Sequence, residues 1–299
     1  MTDVLTLRAA IDNYPHAVAL KDGRVMSDRV RLDFEEVRPI TRSFRRMVRT
    51  FDFDLCEIAL TTLAQAHAYH KAITGLPVVL MRGFHHGALI CLRDSAIRGP
   101  ADLAGRRVGV RAWSQTTGVW VRGILQSDYG VDPGGITWMT AEDAHVLEYP
   151  DPANVVRIAP GQDLPAMLLS GEIDAGVALS GLDPARVRTV IPDADVAAAD
   201  WFRRTGAYPV NHVVCVRSEL LAAHEWLEAE LMDLFTAAKQ AAGEPSAEAR
   251  WAPIVGADPL PYGMAANRRG IDLCVQFAAQ QGLIPHAYPA EELFAATLT

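Results

Sequence analysis

The sequence lacks the features of membrane and secreted proteins. Its longest uncharged apolar stretch near the middle, at 72–81, is about half of the roughly 20 residues that a membrane span needs, and Gly75 and Pro77 interrupt it. Asp3 and Arg8 interrupt any apolar region that a secretory signal would require. We therefore expect no membrane association and a cytoplasmic location.

Cysteine, dense positive charge and nucleotide-binding motifs are also scarce. The widely spaced cysteines form no CxxC pair, which favours buried, reduced thiols over disulfides. The formal net charge is −8, and the one dense group of arginines, at 42–49, fits a solvated helix face, so nucleic acid is not expected as a partner. There is no P-loop, no GxGxxG after a strand and no serine-hydrolase elbow, which excludes those enzyme classes. The four cysteines are Cys56, Cys91, Cys215 and Cys274.

The segment 106–130 combines a short strand, a polar turn and an amphipathic helix. The strand is predicted at 108–110, the turn at 114–117, and the helix stop at Gly130. A helix start has unpaired N–H groups and a partial positive charge, so this hydroxyl-rich turn is suited to an anion. The alternative is that one hydroxyl only caps the helix.

Strand-like and helix-like segments alternate along the 299 residues, which predicts an α/β protein with two lobes. The segment 163–175 resembles a helix–Gly–Glu–Ile–Asp–Ala element of type II periplasmic-binding-protein folds. That resemblance implies mixed, mostly parallel sheets and a hinge of two crossing strands. We expect one lobe at 1–92 plus 213–299 and the other at 93–212.

Most of the chain resembles the 4,5-dihydroxyphthalate decarboxylase family. The resemblance is clearest in LAGRRVGV at 103–110, GVWVRGIL at 118–125, YPVNHVV at 208–214 and DPLPYGMAANR at 258–268, with a similar ending across 281–294. It implies decarboxylation of a hydroxylated aromatic acid between the lobes without a cofactor. The framework segments match while polar loops differ, so we expect a different small aromatic or acidic ligand.

The differing loops lie where a ligand would bind. Family members tend to have Arg-x-Phe-Arg-His-Ser where this chain has RGFHHG at 82–87. A Ser-Ser-Tyr turn is replaced by TTL at 61–63, and the Pro and Glu after the 108–110 strand are replaced by Arg111 and Ala112.

Decarboxylation requires an acid that protonates the carbon losing CO2, and histidine suits this role because its pKa lies near working pH. His212, on the predicted return strand at the hinge, is the first candidate, and a structural core histidine is the alternative. His86, at the end of the first crossing strand, is the second candidate. His85 is expected on the opposite face of a regular strand.

Arg82 is predicted to bind the substrate carboxylate in bidentate fashion, with an interlobe salt bridge as the alternative. Arg111 is a weaker candidate for a second carboxylate ligand. Trp113 is a candidate for stacking on a ring, with simple packing as the alternative, and hydroxyls are expected from one helix start in each lobe. The predicted substrate-binding residues are Arg82, Arg111, Thr61, Thr62, Ser114, Thr116, Trp113 and Asn211.

Two functions remain open from the sequence. One is the decarboxylase, and the other is a cytosolic protein that binds or senses a small carboxylate without changing it. His67 and His70 have helical spacing for a metal but no evident third ligand, so neither a metal nor a cofactor is expected. The sequence leaves open whether the chain forms a homo-oligomer.

Overall fold

The computed structural model describes residues 4–243 and 246–295. Residues 1–3, 244–245 and 296–299, which the predicted first lobe includes, lie outside this range. The strands form a five-stranded and a six-stranded sheet. The first sheet contains β1 (Leu5–Ala10), β2 (Val30–Phe34), β3 (Leu55–Ala59), β4 (Ile73–Arg82) and β11 (Val210–Arg217). The second contains β5 (Leu89–Leu92), β6 (Arg107–Val110), β7 (Thr137–Thr140), β8 (Val155–Arg157), β9 (Ala175–Val177) and β10 (Val187–Thr189).

Both sheets are mixed. The order is β2-β1-β3-β11-β4 in the first and β10-β5-β9-β6-β7-β8 in the second. β11 is antiparallel to both of its neighbours, and β5 is antiparallel to β9 and β10. The remaining pairs are parallel, as expected where helices connect successive strands.

Helices cover the sheets and end where the sequence indicates. Gly130 and Gly171 follow α4 and α5 with φ of 64° and 80°, a left-handed conformation that glycine adopts without strain. The helices are α1 (Val18–Lys21), α2 (Thr41–Thr50), α3 (Leu60–Ala68), α4 (Thr116–Tyr129), α5 (Leu164–Ser170), α6 (Ala194–Thr205), α7 (Ser218–Ala223), α8 (Leu227–Gln240), α9 (Ala252–Val255), α10 (Met264–Gln280) and α11 (Ala290–Leu293). None of these is long and apolar enough to cross a membrane, as far as residues 4–243 and 246–295 are concerned.

Two elements differ from the sequence pattern for identifiable reasons. The apolar run VVLM at 78–81 predicts a short strand, whereas β4 covers all of Ile73–Arg82, because this strand is at the sheet edge, where Pro77 costs no ladder hydrogen bond. Gly75 lies where a Cβ would come within 2.7 Å of the Leu63 and Phe294 side chains. The spacing of apolar residues after Ser218 predicts one long helix, but the structure has two, α7 and α8, separated at 224–226.

The chain passes between the sheets twice, through 83–88 and 206–209. These segments lie side by side, since the Gly83 N–H donates to the Pro209 carbonyl at 3.2 Å. β5 belongs to the second sheet, so the first crossing precedes Leu89, a few residues earlier than the boundary expected after residue 92. The lobe boundaries themselves remain a prediction.

Candidate active site

His212 lies on β11 at the hinge end of the first sheet. It is opposite Ala59, the last residue of β3, while Val214 is opposite Glu57. Alternation along the strands therefore puts His212 and Glu57 on the same face. His212 Nδ1 is 2.7 Å from Glu57 Oε1, and the exposed side-chain fractions are 12% and 0%. A partly open imidazole is thus paired with a fully buried carboxylate.

Glu57 is held by two further donors. The Tyr14 hydroxyl donates to Oε1 at 2.7 Å, and the Asp12 N–H donates to Oε2 at 3.0 Å. Burial and the charge of Glu57 raise the pKa of Tyr14, so its hydroxyl stays a donor. Both oxygens of this carboxylate therefore have fixed partners, which sets its position beside His212.

The starts of helices α3 and α4 meet across the lobes. Thr61 Oγ1 donates to the Ser114 carbonyl at 2.8 Å and lies 2.8 Å from Thr116 Oγ1. All three residues are buried. The two helix starts predicted to form an anion site are therefore neighbours, joined by hydroxyls of Thr61 and Thr116.

The loop at 141–148 of the second lobe contributes a histidine to the same region. His145 Nδ1 is 2.7 Å from Thr62 Oγ1, and the His145 ring packs edge-on against Phe44 with centroids 5.6 Å apart. The ring of Phe44 also packs edge-on against His212, at 5.0 Å. One aromatic ring from α2 therefore contacts a histidine from each lobe.

Arginines surround His145. Arg45 of α2 and Arg111, which follows β6, both bind Glu142 Oε2, at 2.7 and 3.2 Å. Arg49 donates to the His145 carbonyl at 2.8 Å and to the preceding carbonyl, of Ala144, at 2.9 Å. Two guanidinium groups share one carboxylate, so this part of the cleft carries excess positive charge.

Arg82, the predicted bidentate ligand, has internal partners. Its Nη1 donates to Asn267 Oδ1 at 2.7 Å, its Nη2 donates to the Tyr208 carbonyl, and its guanidinium lies over the Tyr208 ring. Burial lowers the pKa of Arg82 to about 10. These contacts connect the end of β4 to α10 and the second crossing segment. Its role as a carboxylate ligand stays a prediction.

The other hinge candidates lie in two different environments. His86 is buried, both its ring nitrogens lack a hydrogen-bond partner, and its ring packs on Trp201 at 5.7 Å. Burial lowers the pKa of His86 to about 4. By contrast, Asn211 Oδ1 accepts a hydrogen bond from His85 Nε2 at 2.8 Å, and Asn211 Nδ2 donates to Thr117 Oγ1 at 3.2 Å.

Trp113 is part of the packing beneath the α4 start. The Arg122 guanidinium lies 3.6 Å from the centre of its ring and donates to its backbone carbonyl. Trp138 packs edge-on at 5.8 Å. Stacking of Trp113 on a substrate ring stays a prediction. In the structure the Arg122 guanidinium lies over this ring.

Sequence reasoning missed three site residues. Glu57 is not among the predicted site residues, although a lone carboxylate in the apolar strand LCEIA is itself a signal. Tyr14 is not among the predicted site residues either. His145 carried no signal at all, because it lies in an irregular loop 83 residues from its partner Thr62.

Comparisons with known proteins agree on fold and family. No protein-family model matches the chain. In structure it is similar to the periplasmic aliphatic sulphonate binding protein SsuA from Escherichia coli (TM-score 0.61, 13% identity, 99% of this chain and 94% of that one). It is also similar to the desulfurization enzyme DSZB (TM-score 0.54, 16% identity, 97% of this chain and 96% of that one). The predicted two-lobed type II fold is thereby confirmed.

Two sequence relatives are both named 4,5-dihydroxyphthalate decarboxylase. The protein from Comamonas testosteroni is 30% identical over 318 aligned positions, covering 97% of this chain and 96% of that protein. The protein from Pseudomonas putida is 31% identical over 212 positions, covering 67% and 82%. This chain is a member of the 4,5-dihydroxyphthalate decarboxylase family.

Proposed function

We propose that the protein decarboxylates a hydroxylated, phthalate-like aromatic acid between the starts of α3 and α4, with His212 as the proton donor. The observation that carries the proposal is the 2.7 Å contact between His212 Nδ1 and the buried carboxylate of Glu57. A histidine oriented by a carboxylate is a common arrangement for proton transfer. The relatives named as decarboxylases support the reaction class.

The proposed reaction consumes one proton. The bond between the ring carbon and the carboxylate breaks, its electron pair stays on the ring, and CO2 leaves. The same carbon accepts a proton from His212 Nε2, which solvent then restores. Glu57 accepts the Nδ1–H hydrogen bond and stabilises the positive charge that the imidazolium carries.

A hydroxylated aromatic dicarboxylate suits the charges around this site. Arg45 and Arg111 supply two cations for one resident carboxylate, that of Glu142. Guanidinium groups bind carboxylates with paired hydrogen bonds, so a substrate carboxylate would be attracted here. The helix starts at Thr61 and Thr116 add partial positive charge. We also propose that the protein acts in the cytoplasm.

The alternative is a protein that binds a small carboxylate without reaction. The cations and the two helix starts would suffice for binding, because none of them transfers a proton. In that case the contacts of Thr61 with Ser114 and Thr116 serve only to close the cleft on its ligand.

The test is CO2 release from 4,5-dihydroxyphthalate, other hydroxylated phthalates and hydroxybenzoates, with thermal shifts recorded for the same compounds. We expect CO2 release. We also expect the free energy of unfolding to rise by about 2.7 kcal/mol when the ligand concentration is a hundred times the dissociation constant, which raises the melting temperature. A protein that is stabilised by a compound but releases no CO2, with or without added divalent metal, would support the binding alternative. No shift with any compound would contradict both.

A further inference from the structure

We infer that His145 Nε2 donates a hydrogen bond to a ring oxygen of the bound hydroxylated acid, making His145 a specificity-determining residue. The inference rests on the proposed function, since it names His145 as the residue that recognises the substrate's hydroxyl. Neither the sequence pattern nor the resemblance to the family pointed to this residue.

The imidazole of His145 is fixed but has one unused nitrogen. Nδ1 is bound to Thr62 Oγ1 at 2.7 Å, whereas Nε2 is buried and has no hydrogen-bond partner. An unpaired buried nitrogen costs about 1–3 kcal/mol, so such groups usually have a water or ligand partner. His145 itself is only 4% exposed.

The loop that carries His145 is held rigidly against the first lobe. Arg49 binds the His145 carbonyl, and Arg45 binds the carboxylate of Glu142 and the carbonyl of Asp143. These contacts hold the loop from Glu142 to His145, the residue that carries the imidazole. A group used to distinguish substrates must be held in this way, because a loose donor discriminates poorly.

The surroundings keep the ring neutral and favour an anionic partner. Burial, together with the charges of Arg111, Arg45 and Arg49, lowers the pKa of His145 to about 3. When Thr62 donates to Nδ1, the neutral ring carries its proton on Nε2 and is a donor there. The nearby guanidinium groups stabilise negative charge on the oxygen that accepts this hydrogen bond.

A ring oxygen fits this donor better than a carboxylate. Carboxylates pair with guanidinium groups in a two-pronged geometry, and Arg45 and Arg111 both offer this. His145 offers a single N–H, which matches a single oxygen. Its position beside Phe44, which also contacts His212, places the donor near the proposed proton donor. Stabilising a phenolate there would push electrons into the ring that loses CO2.

The experiment compares two ligands that differ only in the hydroxyls, 4,5-dihydroxyphthalate and phthalate. Dissociation constants are measured by calorimetry in a His212→Gln background, so that no ligand is consumed. We expect His145→Phe to weaken the binding of 4,5-dihydroxyphthalate by about 10–100-fold and the binding of phthalate by less than about threefold. His145→Gln, which retains an N–H donor, should recover part of the lost affinity.

The matched control is His67→Gln on α3, whose ring pairs with Glu292 away from the cleft, and it should leave both affinities unchanged. Where His145→Phe fails to fold, Thr62→Val removes the bond to Nδ1 and should produce the same selective loss, about 3–10-fold. Equal loss for both ligands, or no loss, would overturn the inference. Absence of CO2 release by the wild type would instead contradict only the proposed reaction.

Discussion

His86 lies in the first of the two segments that connect the sheets and His212 lies just after the second, and their surroundings differ sharply. His212 has a carboxylate partner at 2.7 Å, and 12% of its side chain is exposed. His86 is 1% exposed, packs against Trp201, and has no hydrogen-bond partner on either nitrogen. The two histidines therefore share their location at the hinge, but only His212 has a hydrogen-bonding carboxylate beside it.

The difference shows what makes a hinge histidine suitable for proton transfer. An acid must be able to gain and lose a proton near working pH and must reach both solvent and substrate. Burial without a charged partner lowers the pKa of His86 to about 4, which keeps it neutral. The sequence makes both residues candidates but does not reveal this contrast, because neither the Glu57 carboxylate nor the Trp201 ring is adjacent to them in the chain.

The largest expected effect separates these two histidines directly. We expect His212→Gln to lower turnover by about 10²–10⁴-fold, the usual contribution of a positioned acid, while largely preserving ligand affinity. The measurements are kcat and a dissociation constant for the same compound. His86→Gln should lower turnover less. A larger loss in His86→Gln would transfer the acid role to the first crossing segment.

Removing the carboxylate partner should make His212 resemble His86. We expect Glu57→Gln to lower kcat by about 10–100-fold and to change its pH profile, with a smaller effect on KM. Tyr14→Phe is the matched control, because it removes one donor to Glu57 but keeps the bond to His212. An unaltered pH profile in Glu57→Gln would show that the carboxylate only stabilises the fold.

The sequence predicts the fold better than the site. Periodicity and the glycine stop at Gly171 predict local structure, which depends on residues close in the chain. The meeting of Thr61 with Thr116 follows from the fold that this pattern implies. The Glu57–His212 pair and His145 depend on strand register and on an irregular loop, which have no local signature. For the same reason the internal partners of Arg82 were not foreseen.

Two arginines extend the comparison between an open and an enclosed side chain. Arg111→Ala removes a cation that is 31% exposed, so we expect about 10–100-fold weaker ligand binding with little change in stability.

Arg82→Ala leaves Asn267 and the Tyr208 carbonyl without their donor, so we expect a loss of about 1–3 kcal/mol in the free energy of unfolding. Urea unfolding and ligand titration measure both. A greater loss of affinity in Arg82→Ala would support its predicted role as the carboxylate ligand.

The smallest expected effect concerns the enclosed histidine and pH. The pKa of His86 is lowered to about 4, and those of His85 and His145 to about 4 and about 3, whereas an unfolded histidine titrates near 6.5. Between pH 6.5 and 4 the unfolded chain therefore binds more protons, so the free energy of unfolding falls as the pH falls. At pH 5 each such histidine contributes a loss of about 2 kcal/mol relative to pH 8. We expect His86→Gln to reduce this loss by one histidine's share, as measured by urea unfolding at the two pH values. An unchanged difference in His86→Gln would mean that His86 already titrates in the folded protein, and that it is less enclosed than its packing against Trp201 indicates.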